Sequence, residues 1–266
     1  MLVMRESESA AAPLSFVSVA RLALASVVRD EAARFGYTCR SLAELTGMSS
    51  ATVNRCMMGK RDISEYELGA FGAAFGWGGE TRERVRRLWV TSVTGAGEIH
   101  HRDEVLDSLH KMTRESVIVA PWVLPPRLRT SGYHCLLTGQ PTRAEHQRPW
   151  EAGQHITVYL TRQAVTMPSA LPAHQRAEQF AYLVGLAGNE QVQLRFLPSQ
   201  VIGVHGLEPF EVVRLRNTTR YVRLDHHGVT TLLDNPGDVR VYRKVLDHLD
   251  SVAAPSHQWR TWLREN

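Results

Sequence analysis

Lysine is nearly missing from these 266 residues. It stands only at Lys60, Lys111 and Lys244, so arginine supplies almost all of the 31 basic side chains. That bias reflects a genome rich in G and C and says nothing about function. Cysteine is scarce as well. Cys39, Cys56 and Cys135 are too few and too scattered for a disulfide framework or a zinc site. They read as reduced thiols of a cytoplasmic protein. No run of about 18 apolar residues occurs, so nothing is expected to span a membrane. The N-terminus lacks a basic region, an apolar run and a cleavage site in series, so no signal peptide is expected. GxSxG and HExxH are absent, and Gly76 to Gly79 lacks the Lys-Ser/Thr of a phosphate-cradling loop. These absences lower the enzyme reading and leave no cofactor or metal expected.

The chain has 43% apolar residues, enough for a sizeable core, and its length favours two domains. A formal charge of +4 permits nucleic-acid binding without arguing for it. Residues 1–95 hold 12 basic against 10 acidic side chains, so the argument for DNA rests on a motif.

That motif is Tyr37 to Arg61. Ser41 to Leu45 reads as a short helix, with Leu42 and Leu45 on one face. Gly47 supplies the positive φ that ends it, and Met48 is an apolar plug. Ser49 or Ser50 caps a second helix running to about Met58, with Gly59 as its stop. Val53 and Met57 are placed toward the core. Ser50, Ala51, Thr52, Asn54 and Arg55 fall on the other side, beside Cys56 and Met58. A short helix with a small, polar, basic outer face is what a major groove admits.

The stretch resembles the helix-turn-helix of phage-repressor-like (XRE, Cro/CI type) regulators. Leu42-Ala43, Gly47, Ser49, Thr52, Val53, Arg55 and Gly59-Lys60-Arg61 carry the likeness. That family usually has Gln where Cys39 stands. The resemblance implies Ser50, Thr52, Asn54 and Arg55 at base edges, with Arg40, Lys60 and Arg61 on phosphates. Arg55 has a second reading, as a structural residue bonding the facing helix. A homodimer on a two-fold operator is the expected assembly.

Around this motif, residues 1–14 read as disordered and 15–95 as the helix-turn-helix domain. Val19, Leu22, Ala23, Val27 and Ala33 mark its first helix. Ser64 caps a helix whose apolar face is Tyr66, Leu68, Phe71, Ala74 and Phe75. Glu80 to Val90 is a fifth. Its Arg82, Arg84, Arg86 and Arg87 either touch phosphates or make a solvated face with Glu80 and Glu83.

The small residues from Thr94 to Gly97 mark a boundary. Residues 96–266 then read as a mixed α/β domain, which makes the whole chain α+β. Its helices are His101 to Lys111, Gly132 to Leu137, Arg176 to Ala187, Val241 to Val252 and a tail with Trp259, Trp262 and Leu263. Its strands are Val117 to Val119, Trp122 to Leu124, Ile156 to Leu160, Val192 to Phe196, Phe210 to Leu215 and Arg220 to Leu224.

This half resembles a domain of undefined function that follows such helix-turn-helix modules in actinobacterial regulators. Leu124-Pro125-Pro126-Arg127-Leu128-Arg129-Thr130 with Tyr133 stands where that family has Pro-Gly-Leu-Leu-Gln-Thr and a Tyr. Val192 to Pro198 and Glu208-Pro209-Phe210 match two more of its segments. Relatives of this architecture are described as antitoxin-like and often sit beside a small partner protein. Trp122, Tyr133, Trp150, His155 and Tyr159 are candidates for a pocket holding a small-molecule effector. The adjacent pairs His100-His101 and His226-His227 point apart and read as surface residues, with no metal site.

The leading expectation is a sequence-specific DNA-binding transcriptional regulator whose second domain senses a ligand or docks a partner. An enzyme built on this scaffold, with its active site in the second domain, is the alternative. A protein-binding module with an apolar patch at Trp259 and Trp262 is a third.

Overall fold

A computed structural model describes residues 18–94, 104–140, 153–166, 171–198, 207–226, 229–254, 258 and 261–262. The expected disordered segment 1–14 lies outside them, as do Trp150, Trp259 and Leu263. The chain divides into two compact units, Met1–Val93 and Thr94–Asn266. Its fold is α+β: the first unit is helical, and the second holds a mixed six-stranded sheet with helices.

The helical unit is α1 (Val19–Arg34), α2 (Cys39–Thr46), α3 (Ser50–Met57), α4 (Glu65–Ala74) and α5 (Gly79–Thr94). Short side chains start these helices. Ser18, Thr38, Ser49 and Ser64 each accept a hydrogen bond from the backbone N–H three residues on, which satisfies a donor that the first turn leaves open. Thr38 with Ser41 and Ser64 with Glu67 close reciprocal capping boxes. Gly59 is needed twice over. Its φ is +64°, and a β-carbon there would sit 2.9 Å from Leu22 Cδ2. The core gathers Val28, Leu42, Val53, Cys56 and Phe71, all fully buried.

Four expectations about facing change here. Leu45 is 57% exposed, so it does not share the buried face of Leu42. Cys56, expected on the outer face, is fully buried and takes the core place given to Met57, which is only half-buried. With Val53 pointing inward, its i+3 neighbour lies closer to the same face than i+4 does here. Tyr66 is 81% exposed, because α4 turns Leu68, Phe71 and Phe75 inward. Along α1, Val28 and Ala32 are buried where Val27 and Ala33 were expected.

The second unit orders its strands β3-β2-β1-β4-β5-β6. These are β1 (Thr113–Ala120), β2 (His155–Leu160), β3 (Val192–Phe196), β4 (Phe210–Leu215), β5 (Arg220–His226) and β6 (Val229–Leu233). β1, β2 and β3 are parallel, and β4, β5 and β6 continue the sheet antiparallel from β1. The helices are α6 (Glu104–Met112), α7 (Ser131–Thr138), α8 (Arg162–Thr166), α9 (Ala173–Leu186) and α10 (Pro236–Val252). Strand alternation sends Ile156, Val158 and Leu160 to one face, into a core with Leu124, Tyr133 and Leu183. Val119, Phe210 and Val222 point to the other face and pack with Val239 and Leu249 of α10.

Two strand expectations change. Trp122-Val123-Leu124 is a bend: Pro121 and Pro125 flank it, and the β1–β2 pairing already ends at Ala120 and Leu160. β6 was not anticipated, since its two threonines blur the apolar alternation of a five-residue edge strand.

Candidate nucleic-acid interface

α2 and α3 are joined by Gly47-Met48-Ser49. Gly47 closes α2 at φ 70°, and Ser49 opens α3 by accepting from Thr52 N–H. The cap is reinforced, because Ser49 Oγ also donates to Thr52 Oγ1 at 2.9 Å. α3 is held from behind as well: Arg29 of α1 donates to the Met57 carbonyl at 3.1 Å. Cys39 Sγ lies 3.9 Å from Met57 Sδ and so faces α3.

With its back fixed, α3 presents Ser50, Ala51, Asn54, Arg55 and Met58 to solvent. Thr52 is half-buried and committed to the cap. Arg55 is exposed and makes no ion pair among the described residues, so the structural alternative for it, a bond to the facing helix, is not formed. Lys60 is exposed too. Arg40 reaches Glu44 at 3.5 Å with both side chains largely in solvent, a pair that a phosphate can displace. Arg61 differs. It bonds Glu67 at 3.0 Å and the Asp62 carbonyl at 3.1 Å, which ties it to the start of α4. On α5, Arg82 bonds the Trp77 carbonyl and Arg87 lies 3.8 Å from Glu83, while Arg86 is exposed. Burial pushes the Cys56 thiol up to about 11, helped by the Glu67 carboxylate, so it is a neutral core residue and no nucleophile.

The predicted ligand residues of the sheet unit are not brought together. Tyr133 is fully buried on one face of the sheet, where its hydroxyl donates to the Ala164 carbonyl at 2.8 Å and accepts from Leu124 N–H at 3.2 Å. Tyr159 points to the opposite face and donates to Asp250 at 2.7 Å. Arg195 bonds the same carboxylate, which holds Asp250 below the usual range. Trp122 is 40% exposed in the bend after β1. His155 lies at the start of β2 in a cleft of about 390 Å³ with Thr157, Glu190, Gln191 and Gln193, and it is the only one of the five described there. Trp262 is no exposed patch: it packs on Phe180 and Phe196 beneath the Arg162 guanidinium. Of the histidine pairs, only the backbone of His226 falls within the described residues.

Residues 108–265, more than half of the chain, match the family described as a domain of unknown function (DUF5753). The chain belongs to this family. The DUF5753 match covers the sheet, the end of α6, helices α7 to α10 and the segment around Trp262. No curated protein matches the sequence. Among solved structures, the Clp gene regulator ClgR from C. glutamicum is similar at 23% identity and a TM-score of 0.23, over 29% of this chain and 92% of that one. No helix among the described residues is long and apolar enough to cross a membrane.

Proposed function

We propose that this DUF5753 protein is a cytoplasmic, sequence-specific DNA-binding transcriptional regulator. Residues 15–95 serve as its helix-turn-helix domain and act as a homodimer on a two-fold operator. Residues 96–266 serve as the part that answers a small molecule or a partner protein. The observation carrying the reading is the outer face of α3. Ser50, Asn54 and Arg55 stand in solvent on one side of a helix whose other side, Val53 and Cys56, is sealed into the core. Such a face gives up no internal bond to meet base edges. Arg40 and Lys60 flank it as phosphate contacts. Arg61 is the weaker phosphate candidate, since meeting a phosphate would give up its bond to the largely buried Glu67 carboxylate.

Purified protein is mixed with fragmented genomic DNA at about 150 mM salt, and the retained fragments are sequenced. Enrichment of a few palindromic sites is expected. Arg55→Ala is expected to weaken the best of them by about 1–3 kcal/mol and relax the preference at one position. Uniform, salt-labile binding that Arg55→Ala leaves unchanged would remove α3 as a reading helix.

A further inference from the structure

Arg129 is placed by the sequence around it. Pro125 and Pro126 fix the backbone entering a single 3-10 turn, Pro126–Leu128, and Arg129 returns to extended geometry before Thr130 caps α7. Leu124 and Leu128 anchor both sides of the turn in the core, fully buried. The polar groups there are pinned as well. Gln179 donates to the Leu128 carbonyl at 2.8 Å and accepts from Thr130 N–H at 2.8 Å. Tyr133 holds the Leu124 N–H. The Leu124 carbonyl then receives Arg129 Nε at 2.6 Å, which fixes the plane of the guanidinium.

What is missing is a counter-charge. Three other arginines of the sheet unit each have a carboxylate: Arg195 has Asp250, Arg214 has Glu115 at 2.6 Å, and Arg223 has Asp225 at 2.9 Å. Arg129 is also half-buried, yet no carboxylate lies within ion-pair distance of it among the described residues. Its two terminal nitrogens donate to no described residue and are not sealed from solvent. Burial pushes its pKa below the usual arginine value, with only the Tyr133 phenol acting the other way. A guanidinium that loses part of its hydration with no carboxylate in return is costly, and this one is held rigid there. The Nε bond accounts for the anchoring of the side chain but leaves the outward pair of N–H donors unexplained. That pair has the spacing of two oxygens on one carboxylate or phosphate.

We propose that Arg129 anchors a binding site for a small oxyanion, a carboxylate or a phosphate group of an effector, held end-on by its two terminal nitrogens. This deepens the sensing half of the proposed function. It does not rest on DNA recognition, and it is tested without DNA, so failure of one reading leaves the other standing.

Full-length protein is titrated with sodium phosphate and, separately, with sodium acetate. Sodium chloride at matched ionic strength is the reference. Heat of binding and the Arg129 Nε–H resonance are followed together. Saturable binding by at least one anion at about 10 mM is expected, with that resonance moving along the same isotherm. Phosphate alone, or acetate alone, names the source of the oxyanion. Arg129→Gln, which can still donate to the Leu124 carbonyl, is expected to weaken binding about tenfold or more, and Arg129→Lys less. No saturable binding by either anion, or equal binding by wild type and Arg129→Gln, overturns the site. Should Arg129→Gln fail to fold, the wild-type resonance and Arg129→Lys decide: a resonance that stays still while heat is released places the anion elsewhere.

Discussion

The two units differ in what they do with part of their charge. The helical unit turns most of its basic side chains outward: Arg40 and Arg34 are 88% and 71% exposed as side chains, and Arg55 and Lys60 stand in solvent. The sheet unit also leaves Arg114, Arg162, Arg176, Arg216, Arg220, Arg240 and Arg243 in solvent, but it draws Arg195, Arg214 and Arg223 in against carboxylates. On one face of the sheet, Ser116, Glu211, Arg223, Asp225 and Thr230 form a chain of hydrogen bonds and ion pairs across β1, β4, β5 and β6. On the other face, Arg195, Asp250 and Tyr159 join β3, α10 and β2. Outward charge costs little and stays available for a polyanion. Inward charge must be paired, so it fixes geometry and exposes exceptions such as Arg129.

Removing one buried hydroxyl is expected to have the largest effect. Tyr133→Phe leaves the Leu124 N–H without its acceptor and the Ala164 carbonyl without its donor, both in fully buried residues. Urea unfolding is expected to show a loss of about 1–3 kcal/mol. The helical unit offers a smaller counterpart. Ser49→Ala removes the α3 cap and is expected to cost about 1 kcal/mol in the same assay. Water can reach the exposed Ser49 site and take over part of that bond, whereas it cannot reach Tyr133. Equal losses at the two positions would mean that burial does not distinguish them.

The same contrast explains what the sequence made legible. Caps at Ser49 and Ser64 act within four residues of chain, so the starts of α3 and α4 could be read directly, whereas the Thr38 cap went unread and α2 begins at Cys39, two residues before the expected Ser41. Gly47 and Gly59 were readable because a positive φ has a residue signature. Facing was less legible. Whether Cys56 or Met57 points inward depends on how α3 rolls against α1, which no local pattern states. In the sheet unit, five strands were visible from alternation, but pairing order was not. Tyr133 and Tyr159 both looked like pocket aromatics, and only the packing of α7 and the pleat of β2 show that they belong to opposite faces. Arg129 was visible only as a departure within Leu124 to Thr130. Its missing counter-charge is a property of what lies around it in space.

The smallest effect is a contribution that is complete at neutral pH and is lost only in alkali. In the helical unit, burial raises the Cys56 thiol from 9.0 to about 11. In the sheet unit, burial first and the bond to Asp250 second raise the Tyr159 phenol from 10.0 to about 12. Burial raises Tyr221 and Tyr133 in the same direction. Each of these groups is favoured in its neutral form by folding. Their contribution is therefore complete below the unfolded pKa and lost as pH rises through the folded one. The Cys56 share is expected to fade between pH 9.0 and about 11, and the Tyr159 share between 10.0 and about 12. Asp250, held low by Arg195 and Tyr159, acts with the opposite sense: its share is present above the ordinary carboxylate pKa and is lost in acid. Tyr159→Phe removes one ionising group, so the stability gap between variant and wild type, followed by urea unfolding from pH 7 upward, is expected to narrow across the Tyr159 window. A persistent alkaline limb in the variant then belongs to Tyr221, Tyr133 and Cys56. A gap that stays constant through that window would mean that the Tyr159 phenol titrates alike in the folded and unfolded chain, and that its bond to Asp250 does not hold the phenol in its neutral form.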